Sequence, residues 1–215
     1  MKLALFPLHT VLFPGMALPL HIFEPRYREM INSCLAQNAP FGVVLIRAGA
    51  EVGGGAEPHL IGTEAHVSRV ERLPDGRMHI EAIGQERFKI ASLHEGRSYL
   101  TGIVEAFPLE GADGAPARRA AMALMPWLRR YLTLLGEAAE TQRNDQRLPR
   151  DPAALAYLAA IVAQIPPAEK QELLGVSAAA ELLDRECAIY RREISLVRTM
   201  LGSGQSRNDV SFSPN

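Results

Sequence analysis

The sequence predicts an α+β chain in which a strand-rich part, interrupted by one helix, precedes a set of helices. Three observations carry this. Apolar runs before residue 110 are short and cut by proline and glycine, a hairpin signature precedes two alternating stretches, and from about residue 115 the apolar period becomes helical. The expected boundaries are 1–110 for the β-rich part, 111–201 for a helical bundle and 202–215 for a flexible polar tail.

The strand candidates are residues 3–6, 11–13, 41–46 and 103–107. Pro7, Pro14 and Pro19 each remove a ladder donor, so the first strands must lie at an edge or break there. Leu73-Pro74-Asp75-Gly76-Arg77 is a hairpin tip, because proline pre-sets the first turn dihedral and glycine accepts positive φ. Beyond it Met78, Ile80 and Ala82 alternate with His79 and Glu81, as in a half-buried strand. Phe88 and Ile90 alternate with Arg87 and Lys89 in the next strand. The inserted helix begins at Glu24-Pro25, a carboxylate and a first-turn proline, and its apolar stripe is Tyr27, Met30, Ile31, Cys34 and Leu35.

In the helical part, Ala121, Leu124, Met125, Leu128, Leu132 and Leu135 share a face, and Pro126 inside the run predicts a kink or a break. Residues 136–150 read as a polar loop. Asp151-Pro152 caps a helix carrying Leu155, Leu158, Ala159 and Val162, and Pro166-Pro167 starts a short one closed by Gly175. A long last helix follows from a cap at Ser177, with Leu183, Cys187, Tyr190, Ile194, Val197 and Leu201 as its seam.

Composition narrows the function. The 215 residues are 47% hydrophobic and 22% charged, an ordinary globular balance that excludes a disordered polar polymer. The net charge of −1 supplies no long-range field for phosphate, so neither nucleic acid nor an anionic membrane is expected as partner. Arg118, Arg119, Arg129 and Arg130 do cluster on one helix, but with 6% aromatic residues they read as a solvated face. Cys34 and Cys187 sit on apolar stripes, where a thiol behaves as a small hydrophobe, and sparse cysteine fits a reducing compartment. Prolines interrupt the apolar opening too often for a signal peptide, so a cytoplasmic location is expected.

Chemistry-bearing motifs are missing. There is no Walker phosphate loop and no Gly-x-Ser-x-Gly elbow, and the six histidines lack metal-ligand spacing. Gly53-Gly54-Gly55 lacks a strand–glycine–helix context and reads as a hairpin loop. No cofactor, no metal and no catalytic residue is expected. A small hydrolase would have to be assembled from His9, His21 and Glu24, which lie close in sequence.

The opening is nevertheless distinctive. Leu5-Phe6-Pro7-Leu8, Val11-Leu12-Phe13-Pro14-Gly15 and Leu18-Pro19-Leu20-His21-Ile22-Phe23-Glu24-Pro25-Arg26-Tyr27 resemble the start of the Lon N-terminal domain family. Ile61-Gly62-Thr63, Asp75-Gly76-Arg77, Gly84, Arg87 and Phe88 continue the resemblance, and the helical part matches more loosely to about residue 200. The resemblance implies a PUA-like, six-stranded, partly open barrel followed by a helical bundle. It also implies a non-catalytic, polypeptide-binding module of protein quality control, without the ATPase and protease modules of Lon. The runner-up reading is an RNA-binding PUA-like module.

Two readings of the opening stand side by side. In one it shapes the barrel entrance and a strand-to-helix corner. In the other Leu12, Phe13 and Met16, with His21 and Phe23 beside them, form an apolar contact surface for client chains. Arg26 pairs with Glu24 or the sheet, or meets a ligand carboxylate.

Overall fold

The computed structural model describes residues 1–50, 55–94, 98–138 and 148–205, with backbone alone for 137–138 and 197–205. Gly53 and Gly54 of the glycine cluster and most of the 136–150 loop lie outside the described residues, as does the tail beyond residue 205. In order the elements are β1 (Lys2–Leu8), β2 (Ala17–Ile22), α1 (Pro25–Gln37), β3 (Phe41–Ala48), β4 (Glu57–Arg72), β5 (Met78–His94), β6 (Thr101–Ala106), α2 (Ala115–Ala138), α3 (Pro152–Val162), α4 (Pro167–Leu174) and α5 (Ala179–Gln205). They form two compact units. The first is Met1–Glu110 with Ala160–Ser177, and the second is Gly111–Ala159 with the chain from Ala178 on.

The sheet of the first unit runs β2-β5-β4-β3-β1-β6. β1 and β3 are parallel, joined through β2 and α1, and every other pair is antiparallel. β5 is 17 residues long, so its first half pairs with β2 and its second half with β6, while β4 runs along it. Register shifts in β4, at Thr63/Ala65 and Val67/Arg69, add the bend that a curling sheet needs. The result is a partly closed sheet rather than a clean barrel.

The prolines sit where ladder donors are not required. Pro19 lies in β2, the edge strand, and Pro7 lies beyond the three residues of β1 that pair with β6. The hairpin tip forms as its sequence demands, with Gly76 at φ +81° and the Gly76 N–H donating to the Leu73 carbonyl at 2.9 Å. Met78, Ile80 and Ala82 are buried while His79 and Glu81 are exposed.

Two apolar clusters fill the unit. Under α1, Phe6 stacks on Tyr27 with ring centroids 4.0 Å apart, among Met30, Ile31 and Phe41. On the other side Phe88 packs with Leu3, Leu5, Val44, Ile90 and Val104. Gly42 makes that packing possible: a Cβ there would sit 2.6 Å from the Phe88 ring. Glu24 occupies the N-cap of α1, but its carboxylate pairs with Arg26 and bonds no helix N–H.

Residues 160–177 correct the expected boundaries. They belong to the sheet, not to a helical bundle running from 111 to 201. Gln171 Nε2 donates to the Ile61 carbonyl at 3.0 Å, and buried Arg87 donates from Nη1 to the carbonyls of Leu174 and Val176 at 2.7 and 2.6 Å. The bond to Leu174 satisfies a carbonyl that the end of α4 leaves without an intrahelical donor.

In the second unit Ala117, Ala121, Leu124, Leu128 and Tyr131 of α2 are buried, as are Leu183, Cys187, Tyr190 and Ile194 of α5. Tyr131 and Tyr190 meet edge to face at 4.9 Å. Pro126 does not break α2. The carbonyl it leaves without a donor belongs to Met122, on the exposed face where water can serve it. Asp151 caps α3 as expected, its Oδ2 accepting from the Ala154 N–H at 2.8 Å. α5 begins after Ser177 and extends to Gln205, so residues 202–205 are helix and not tail. Glu186 of α5 is buried with no hydrogen-bond partner for either oxygen among the described residues, and burial pushes its carboxyl well above the usual range.

Candidate functional site

The segment from Val11 to Met16 folds inward. Leu12 and Phe13 are buried, Phe13 completely, which corrects the expectation that they present a client-binding surface. The reason is the bonding of the loop backbone. The Thr63 hydroxyl donates to the Leu12 carbonyl at 2.6 Å, the Gly15 N–H to Gly84 at 2.8 Å, and the Gly84 N–H to Met16 at 2.9 Å. Gly84 must be glycine here, because a Cβ would collide with the Phe13 carbonyl oxygen. The loop is a plug that closes the sheet. Met16 is half-buried against the same cluster.

The later candidates are distributed differently. Arg26 pairs with Glu24 at 3.0 Å and lies 4.4 Å above the Tyr27 ring. Among the alternatives for Arg26, the corner contact is the one formed. His21 and Phe23 are exposed, Phe23 by 51%, and their rings meet at right angles 5.9 Å apart. His79 meets His21 from the neighbouring strand at 4.7 Å. His21 therefore lies against two rings, while the Glu24 carboxylate is occupied by Arg26. Arg118, Arg119, Arg129 and Arg130 are all exposed on α2.

A different feature was not anticipated from the sequence. The first unit carries an open groove of about 880 Å³. Its apolar lining is Pro58, Leu60 and Ile61 from β4, Leu93 from β5, Leu100, and Ala168 from α4. Leu60 is 54% and Leu93 40% exposed, unusual for leucines on strands. On α4 the lining residues Ala168, Gln171 and Glu172, with Gly175 just beyond, follow one helical face. The groove exists because that face begins and ends in small residues, which leave space where larger side chains would meet the sheet. A Cβ on Gly175 would already stand 3.7 Å from Ile61 Cδ1.

Polar groups surround the apolar floor. Arg47 Nη2 and Glu57 Oε2 pair at 2.7 Å, and both are largely exposed. Partial burial, and then the charge of Arg47, lower the pKa of His59, so its ring is neutral at pH 7. Lys170 turns away from the groove and donates to the Ile161 carbonyl at 3.0 Å. Among the described residues no group of three His, Cys, Asp or Glu could hold a metal ion. The arrangement can bind apolar side chains, with charge at its margin.

The chain is similar to known proteins over most of its length. A family model described as the ATP-dependent protease La (LON) substrate-binding domain matches residues 2–192. The Lon protease of Phenylobacterium zucineum is 29% identical over 204 residues, which covers 89% of this chain and 24% of that protein. The Lon protease of Paraburkholderia phytofirmans is 29% identical over 192 residues, covering 88% and 24%. The chain thus spans about a quarter of the length of these relatives. Among solved structures, the Lon N-terminal domain protein from Xanthomonas campestris aligns with a TM-score of 0.61 at 23% identity, covering 87% of this chain and 98% of that one. The N-terminal domain of the Mycobacterium avium complex Lon protease gives 0.65 at 19%, covering 89% and 98%. At such identities the structural likeness establishes the fold.

Proposed function

This chain belongs to the family of LON substrate-binding domains, and from that premise we propose that it recognises polypeptide through the groove between β4, β5 and α4. The observation that carries the reading is the pair of exposed leucines, Leu60 and Leu93, over an apolar floor. Solvated leucines gathered in a concave site gain by being covered, at roughly 25 cal/mol per Å² of apolar surface removed from water. Unfolded or damaged chains expose apolar side chains and share no charge pattern, so an apolar groove is the feature they hold in common for recognition.

Recognition without bond-breaking follows from the same reading, since the matched family is the substrate-binding and not the catalytic part of Lon. The expected location is the cytoplasm, which the two buried free cysteines favour. Among the described residues no helix is long and apolar enough to cross a membrane.

The test is fluorescence anisotropy with a labelled, leucine-rich unstructured peptide. The double variant Leu60→Ser/Leu93→Ser loses roughly 1 kcal/mol or more at each position, so its affinity should fall at least tenfold. Its thermal melting should stay close to that of the unaltered protein, because both side chains are already partly in water. Unchanged affinity in a folded double variant would refute the groove as the site.

A further inference from the structure

We propose that the groove selects apolar segments that carry a lysine or arginine beside the anchoring side chains. This rests on the groove being the polypeptide site, and it adds the charge of the client. The charges at the margin do not balance. Arg47 and Glu57 are joined at 2.7 Å and largely cancel each other. His59 contributes no charge at pH 7, because burial and the neighbouring Arg47 disfavour its protonation. Lys170, the cation of α4, is directed to the Ile161 carbonyl and is not part of the lining. What stands uncompensated among the described lining residues is Glu172, exposed on the groove face of α4.

A cationic flank on a bound segment therefore meets an opposite charge, and an acidic flank meets a like one. For a partly exposed pair the difference between the two flanks is about three- to tenfold in affinity at low salt. It should shrink as salt shortens the reach of the charges. The same margin disfavours phosphate-bearing ligands, so the groove is read as a peptide site and not a nucleic-acid site.

The test uses three labelled peptides with one apolar core and flanks of Lys, Gln or Glu. They are measured by anisotropy at 20 mM and 500 mM NaCl, with circular dichroism melts on every variant. The unaltered protein should bind in the order Lys, Gln, Glu, with the order compressed at high salt and reversed in Glu172→Lys. Equal binding of all three peptides, with binding still lost in Leu60→Ser/Leu93→Ser, would overturn the charge preference and leave the groove in place. Binding of none, or no effect of the leucine substitutions in a folded protein, would overturn the groove reading and the preference with it. An RNA oligomer that competes for the groove would also overturn the preference.

Discussion

The loop from Val11 to Met16 and the groove beside α4 are both apolar, yet they face opposite ways. The loop turns Leu12 and Phe13 into the sheet and fastens its backbone through Thr63 and Gly84. The groove leaves Leu60 and Leu93 exposed, with no cover for them among the described residues of the unit. The loop lies in the opening whose residues carry the sequence resemblance, whereas the groove draws mainly on residues outside that opening. A signature in sequence can thus mark a position the fold cannot do without, while the surface that meets partners leaves a fainter trace. In this chain the distinctive residues hold the sheet shut, and the exposed leucines are left for contact.

That contrast breaks most clearly at Phe13. Phe13→Ser removes a completely buried ring and should cost about 3–5 kcal/mol of stability, read by urea denaturation. Binding should change only as the folded fraction changes. A folded Phe13→Ser protein with normal stability and weak peptide binding would reverse the assignment of the two regions.

Thr63→Val is the next largest effect. It leaves the buried Leu12 carbonyl without its 2.6 Å donor, a loss of about 1–3 kcal/mol. Melting should drop while the affinity of the remaining folded protein holds. Ala168→Phe is its counterpart in the groove. The position is exposed on α4, so melting should hold while peptide affinity falls about tenfold as the ring occupies the floor.

Stability and binding should also separate by pH. Glu186 is raised by burial, so the folded state retains its proton where the unfolded state releases it. Its contribution to stability is fully present below about pH 4.5 and is lost as pH rises from there toward the folded value. The slope is at most about 1.4 kcal/mol per pH unit. Glu186→Gln should remove that slope from the melting curves without altering peptide affinity. The smallest effect belongs to His59, whose pKa lies below its ordinary value. Affinity for a Lys-flanked peptide should be flat above pH 6.5 and weaken modestly below it, as a cation appears in the lining. A His59→Gln variant should show no such fall.

What could be read from the sequence was what neighbours along the chain decide. The hairpin tip at Leu73–Arg77 needs only its own five residues, and the α1 stripe needs only the helical period. The plug already shows where this ends. Leu12 and Phe13 read either as a barrel entrance or as an apolar contact loop until Thr63 and Gly84, more than fifty residues away, are placed beside them. Residues 160–177 are a similar case. Their attachment depends on Arg87 and on the bond from Gln171 to Ile61, 110 positions apart. The groove is harder still, because Ala168 and Gly175 act through the side chains they lack. No local pattern marks an absence that matters only opposite a sheet.

Amide hydrogen exchange, with and without a saturating leucine-rich peptide, tests the central claim most directly. The account predicts new protection in residues 56–61 and 168–175 and around Leu93 and Leu100, with exchange in residues 11–23 unchanged. Protection confined to residues 16–23, near His21 and Phe23, with the groove exchanging as before, would contradict it.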